Sequence, residues 1–106
     1  MKRLGWAMSA VLLAAAGPAA AAEHVVRMAG NAYEPAAVEA KVGDVIRFVN
    51  DDADWHEVFV PTADFALDLG KQEQGTETTL TLTRPGTFEV ECVHHLPMLL
   101  AVEVEP

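Results

Sequence analysis

Cysteine is almost absent: Cys92 stands alone in the chain. No intrachain disulfide can form, so any staple for this fold must be something else. Cations are also scarce. Seven Lys and Arg face sixteen Asp and Glu, a formal net charge of −9. Nucleic-acid binding relies on Lys and Arg displacing counterions from phosphate, and this balance excludes it. There is no internal repeat, no low-complexity linker and no sign of a second domain; 106 residues fit one domain. Hydrophobic residues make up 51%, too many for a disordered polar chain.

What is present begins with an address. Met1-Lys2-Arg3 is followed by an uncharged apolar run from Leu4 to Ala16, then Gly17-Pro18 and Ala19 to Ala22. A basic start, an apolar centre and a small-residue cleavage site form a signal peptide. It is expected over residues 1–22, with cleavage after Ala21 or Ala22, export across a bacterial-type inner membrane to the periplasm, and one domain over 23–106. Gly17-Pro18 cuts the apolar run below the ~20 residues that an uncleaved spanning helix needs. No stable membrane insertion is therefore expected once the segment is removed. The mature chain keeps sixteen acids against five basic residues, a formal charge of −11. So small a domain buries a modest fraction of its surface and gains from a staple. With disulfides excluded, the remaining staple is a metal.

The rest of the sequence alternates with the period of β-strands. Strands are expected over 24–29, 36–41, 45–50, 57–60, 78–83, 87–92 and 100–105. In VIRFVN, Ile46 and Phe48 share a face, and in TTLTLT, Leu80 and Leu82 do. Phe88, Val90 and Cys92 share another, as do Val102 and Val104. Turns fall at Val42-Gly43-Asp44 and Arg84-Pro85-Gly86. About seven short strands with Gly and Pro turns predict an antiparallel β-sandwich. The stretch 61–75 breaks the rhythm. It reads as a crossover loop pinned by Phe65 and Leu67, with a short helix over 63–69 as the alternative.

The chemistry is concentrated in Cys92-Val93-His94-His95-Leu96-Pro97-Met98, a short loop between two alternating strands. It supplies a thiolate, an imidazole three positions on and a thioether three positions further. A distant donor, His56, follows Asp54-Trp55 where a strand begins. Thiolate, thioether and two imidazoles form a soft mixed donor set that favours copper, the ligand pattern of mononuclear electron-transfer copper. Zinc accepts Cys and His but has little use for Met. His95 fits the spacing better than His94, which is expected beside the site.

These residues carry a resemblance. The C-x2-H-x2-M loop before an alternating Val strand resembles the type 1 (blue) copper proteins, the cupredoxins, with ligand spacing similar to amicyanin and pseudoazurin. Lys41-Val42-Gly43-Asp44-Val45, then Phe48-Val49-Asn50 and His56, resembles the family's approach to its first histidine, and Pro85-Gly86-Thr87-Phe88 is similar to its lead into the cysteine strand. The resemblance covers about residues 24–105 and implies an all-β Greek-key sandwich holding one type 1 copper ion. By position it implies His56, Cys92 and His95 as equatorial ligands and Met98 as the axial one. Two positions depart from the family pattern. Glu57 stands where the family often has an Asn that ties two ligand loops together, and Leu100 where it usually has Gly.

The function expected is that of a monomeric one-electron carrier cycling Cu(I)/Cu(II). It is not expected to be an enzyme, because protein donors fill the metal's strong positions and no substrate site is evident. Leu96, Pro97 and Leu99 around His95 are expected to form an apolar docking patch. Asp51, Asp52 and Asp54 read as a solvated turn that also steers toward a basic redox partner. A c-type cytochrome or a periplasmic oxidoreductase would fit that role. Trp55 is expected at the site's edge. His24 reads as an ordinary strand residue, although a histidine near a free amine can bind Cu(II). The alternative is a copper carrier or copper-resistance protein that buffers and delivers the ion; a zinc-binding or purely structural β domain is a more remote one.

Overall fold

In the computed structural model, residues 20–106 are described. The export segment expected over 1–22 lies, as far as residue 19, outside them. Nine strands occur among the described residues: β1 (Glu23–Ala29), β2 (Ala32–Glu34), β3 (Ala37–Lys41), β4 (Val45–Asn50), β5 (His56–Val60), β6 (Leu67–Gln72), β7 (Glu77–Thr81), β8 (Gly86–Cys92) and β9 (Leu99–Glu105). They form two sheets, in the orders β2-β1-β4-β7 and β3-β9-β8-β5-β6. This is the all-β sandwich the alternating sequence predicts.

The inward faces follow the sequence pattern. Phe88, Val90 and Cys92 on β8 point into the core, as do Leu100, Val102 and Val104 on β9. The two strands are in register, with Val90 opposite Leu100 and Phe88 opposite Val102. Val26, Met28, Ile46 and Phe48 from the first sheet close the core from the other side. Burying each such side chain stabilises the fold by about 1.5–3 kcal/mol.

Three features differ from the sequence expectation. β1 runs parallel to β4, and β3 parallel to β9, so the sandwich is not purely antiparallel. Between β1 and β4 the chain visits the other sheet, and that excursion lets it return in the same direction; a tight hairpin would reverse it. β2 is a three-residue strand whose Tyr33 hydroxyl donates to the Glu91 carbonyl across the sandwich at 2.9 Å. Burial holds that hydroxyl well above the ordinary tyrosine pKa, so it stays a donor.

The third difference corrects the reading of 61–75. Leu67–Gln72 is a strand, paired with β5 at the sheet edge, and not part of a loop or a helix. A register shift between Glu57 and Phe59 and a positive φ of 82° at Gly70 interrupt the ladder. Residues 61–66 remain a connection. Phe65 does pin it, stacking on Phe88 with ring centroids 4.8 Å apart. Phe65 also leaves no room at Gly86, where a Cβ would lie 2.8 Å from its ring and φ is +140°.

Candidate metal centre

The sequence-predicted ligands gather at one end of the sandwich: His56 opens β5 just after the 51–55 loop, Cys92 closes β8, and His95 and Met98 lie in the 93–98 loop between β8 and β9. Asn50, fully buried at the end of β4, shapes the first loop. Its Nδ2 donates to the carbonyls of Asp54 (2.9 Å) and Gln72 (3.0 Å), and its Oδ1 accepts the Asp52 N–H at 2.8 Å. In the second loop the Met98 N–H donates to the His95 carbonyl at 3.0 Å, closing a turn.

His56 and Cys92 are both fully buried, and His56 Nδ1 lies 3.7 Å from Cys92 Sγ. On the other side of the ring, His56 Nε2–H donates to Asp52 Oδ2 at 2.7 Å. A neutral imidazole carries one N–H, so this bond leaves a lone pair on Nδ1, facing the sulfur. Asp52 is itself fixed by the N–H groups of Gly30 (2.7 Å) and Asn31 (3.0 Å). Burial pushes the Asp52 carboxyl up, but the Asn31 amide, His56 and the Gly30 amide together outweigh it and hold the pKa below the ordinary aspartate value.

The Glu57 backbone N–H donates to Cys92 Sγ at 3.4 Å. This contact comes from the main chain, so it does not depend on which side chain occupies position 57. The Glu57 side chain faces Asp68; a hydrogen bond between the two carboxyls, then burial, raises its pKa. Met98 is buried at the end of its loop.

His95 packs edge-on against His56, with ring centroids 4.9 Å apart, and its Nε2 lies 3.1 Å from Asp54 Oδ2. His94 Nε2 reaches the same oxygen at 3.0 Å. His94 also stacks flat on Trp55, centroids 4.0 Å apart, and Lys71 Nζ lies 4.8 Å from the other ring centre of that column, Trp55. Trp55 thus occupies the site's edge, as expected. Among the described residues, Asp54, His94 and His95 are the group whose donor atoms all lie within 4.8 Å of one another. Burial raises the Asp54 carboxyl, and the Trp55 amide and the two histidines overcome that and lower it.

His24 is not part of this centre. It pairs with Ile46 near the start of β4, at the opposite end of the strand from the 51–55 loop. Its Nε2–H donates to Asp44 at 2.9 Å, which occupies it in a structural role. Sequence reasoning missed the parts played by Asp52, Asp54 and Asn50. The visible signal was carboxylates two and four positions before His56, in Asp52-Ala53-Asp54-Trp55-His56.

The donors fit copper. A thiol, imidazole nitrogens and a thioether are the soft set that copper selects, and two of these donors, Cys92 Sγ and His56 Nδ1, face each other in the buried interior. His56 Nδ1 and Cys92 Sγ, 3.7 Å apart, are the two donors that would hold such an ion between them.

The comparisons with known proteins agree with this chemistry. The chain belongs to the cupredoxins, the type 1 copper protein family. Within it, the relationship lies toward pseudoazurin and amicyanin. It is 36% identical over 99 residues to a pseudoazurin of Paracoccus pantotrophus, covering 87% of this chain and 68% of that protein. It is 30% identical over 99 residues to a plastocyanin of Prochlorothrix hollandica, covering 83% and 76%. Among solved structures it is similar to a methionine-to-alanine variant of amicyanin in the Cu(I) form, with a TM-score of 0.74 and 29% identity over 77% of this chain and 81% of that one. A reduced tryptophan-to-tyrosine variant of amicyanin gives the same TM-score, 0.74, over 84% and 86%. No protein-family model matches the chain.

Proposed function

We propose that this protein is a periplasmic one-electron carrier whose copper is held by His56, Cys92, His95 and Met98. The observation that carries the reading is the buried approach of His56 Nδ1 to Cys92 Sγ at 3.7 Å. When bound, copper supplies a Cu(I)/Cu(II) couple. The chain's own groups do the rest. Cys92 and Met98 offer soft sulfur donors. Asp52 holds the proton on His56 Nε2 and so keeps Nδ1 free. The Glu57 N–H fixes the Cys92 sulfur. Ligands drawn from two strand ends and one short loop of a stiff sandwich change position little, which keeps reorganisation small.

Leu96 is 75% exposed, and Val93 and Leu99 are also exposed beside His95. This apolar rim suits the small, transient contacts of redox partners. The acidic 51–54 segment beside it favours a partner with a basic docking surface, such as a c-type cytochrome or a periplasmic oxidoreductase.

Export follows from the N-terminal segment. Ala22 is built into the sandwich: its N–H donates to Asp44 Oδ1 at 2.9 Å and its carbonyl accepts the Val45 N–H at 3.0 Å. A cut after Ala21 keeps both bonds. Mass measurement of periplasmic protein is expected to give a chain starting at Ala22; a cytoplasmic chain starting at Met1 would contradict export.

The copper reading is tested by visible absorption of the Cu(II)-loaded mature protein. An intense thiolate-to-copper band that disappears in Cys92→Ser is expected, and only weak bands of nitrogen-bound Cu(II) would sink the reading. Copper delivery, the second reading, draws on the donor group of exposed Asp54 and His94 with half-buried His95. Rapid exchange of electrons with a cytochrome favours the carrier; slow exchange with ready Cu(I) transfer to a metal-free acceptor favours delivery.

A further inference from the structure

We infer that Asp54 is a positioning residue that clasps the two ligand loops together through His95 and His94. The inference rests on the reading of His95 as a copper ligand. The Glu57 side chain, next to His56, turns away toward Asp68, so the side-chain link between the two loops is made from Asp54 instead.

Asp54 is held by its own loop at two points: its backbone carbonyl accepts the Asn50 Nδ2–H at 2.9 Å, and its carboxylate Oδ1 accepts the Trp55 N–H at 2.9 Å. That leaves Oδ2 directed at the other loop, where it accepts His94 Nε2–H at 3.0 Å and His95 Nε2–H at 3.1 Å. A carboxylate oxygen has room for two such bonds, and both distances lie in the normal N–H···O range. Trp55 braces the arrangement by stacking on His94.

The consequence for His95 is specific. With its one N–H on Nε2 committed to Asp54, the neutral ring presents a lone pair on Nδ1. The same holds for His56, whose Nε2–H is committed to Asp52. One acidic loop therefore sets the tautomer of both histidines, each through its own carboxylate. Such partners orient a ligand ring and make it more basic, and losing one typically costs 10–100-fold in metal affinity. An anion bonded to a ligand also favours Cu(II) over Cu(I), so it lowers the reduction potential. Asp51 supplies a control: it is the same residue type in the same loop, but it pairs with Arg27 and touches neither histidine.

The test compares the mature wild-type protein with Asp54→Asn, Asp54→Ala, Asp54→Glu and Asp51→Asn. In metal-free protein, nitrogen-15 NMR is expected to find His95 as the Nε2–H tautomer in wild type and to lose that preference in Asp54→Ala. In copper-loaded protein, Asp54→Ala is expected to lose about 10–100-fold in copper affinity. Asp54→Asn is expected to raise the reduction potential further than Asp51→Asn does, and Asp54→Glu to recover part of the effect. Asp54 is exposed, and Asn preserves its shape, so folding is not at stake. If wild type shows the Cys92-dependent band but the His95 tautomer, affinity and potential do not respond to Asp54, the clasp is wrong and the copper reading stands. If wild type lacks that band, the copper reading fails and the clasp falls with it.

Discussion

His56 Nδ1 and Cys92 Sγ, thirty-six residues apart in sequence, meet at 3.7 Å in the interior. The register of the second sheet brings this about. β5 runs antiparallel to β8 with Val58 opposite Cys92. Side chains two positions apart on a strand share a face, so His56 sits on the same inward face as Val58, diagonal to Cys92 and within reach of it. The geometry of the pair therefore belongs to the sheet.

Asn50 is expected to be the residue on which the first ligand loop depends. Asn50→Asp keeps the shape but removes both Nδ2 donors and leaves the Asp54 and Gln72 carbonyls without their partner. A loss of about 2–4 kcal/mol is expected in urea unfolding of the metal-free protein. A change within about 0.5 kcal/mol, the range of ordinary surface substitutions, would show that the loop is held by other contacts.

Leu100 tests the second loop's anchor. It is fully buried opposite Val90, two residues past Met98. Leu100→Ala is expected to cost about 2–5 kcal/mol. Leu100→Gly would combine that cavity with added chain freedom and lose still more. Equal stability of Leu100→Gly and wild type would mean that the side chain fills no essential space.

Acid sensitivity should trace to the far end of the sandwich. Asp44 accepts hydrogen bonds from His24, the Ala22 N–H and the Lys41 N–H, which lower its pKa from 3.8 to about 2. A carboxylate depressed in the folded state adds stability above its unfolded pKa, and that stability is lost as pH falls through the folded value. Wild type is therefore expected to lose stability between about pH 4 and pH 2. Asp44→Asn should be less stable at neutral pH and flatter across that window, as followed by thermal unfolding at each pH. An unchanged slope in the variant would assign the acid sensitivity to other carboxylates.

Much of this molecule was legible in its sequence, for reasons that differ from element to element. β8 and β9 were readable because each buries one face, and a buried face forces strict alternation: Phe88, Val90, Cys92 against Leu100, Val102, Val104. The 92–98 segment stood out because Cys92, His95 and Met98 are local and chemically distinctive, and the structure makes most of it the turn between β8 and β9. β6 was not, because an edge strand with Gly70 and a register shift carries only Leu67 and Leu69 as a pattern. β2 was not, because three residues hold no period, and its anchor is a hydrogen bond from Tyr33 to the opposite sheet. The parallel pairings follow from where the chain crosses between sheets, which local alternation does not encode. Asp52 and Asp54 looked like solvated turn residues. Their contacts with His56, His94 and His95 exist only once the loops have folded against each other.

The central claim is that one copper ion sits among His56, Cys92, His95 and Met98. X-ray absorption at the copper edge of the loaded mature protein tests it most directly. One short copper–sulfur distance with two copper–nitrogen distances is expected, the short thiolate distance vanishing in Cys92→Ser. A shell of nitrogen and oxygen neighbours alone, unchanged by that substitution, would contradict it.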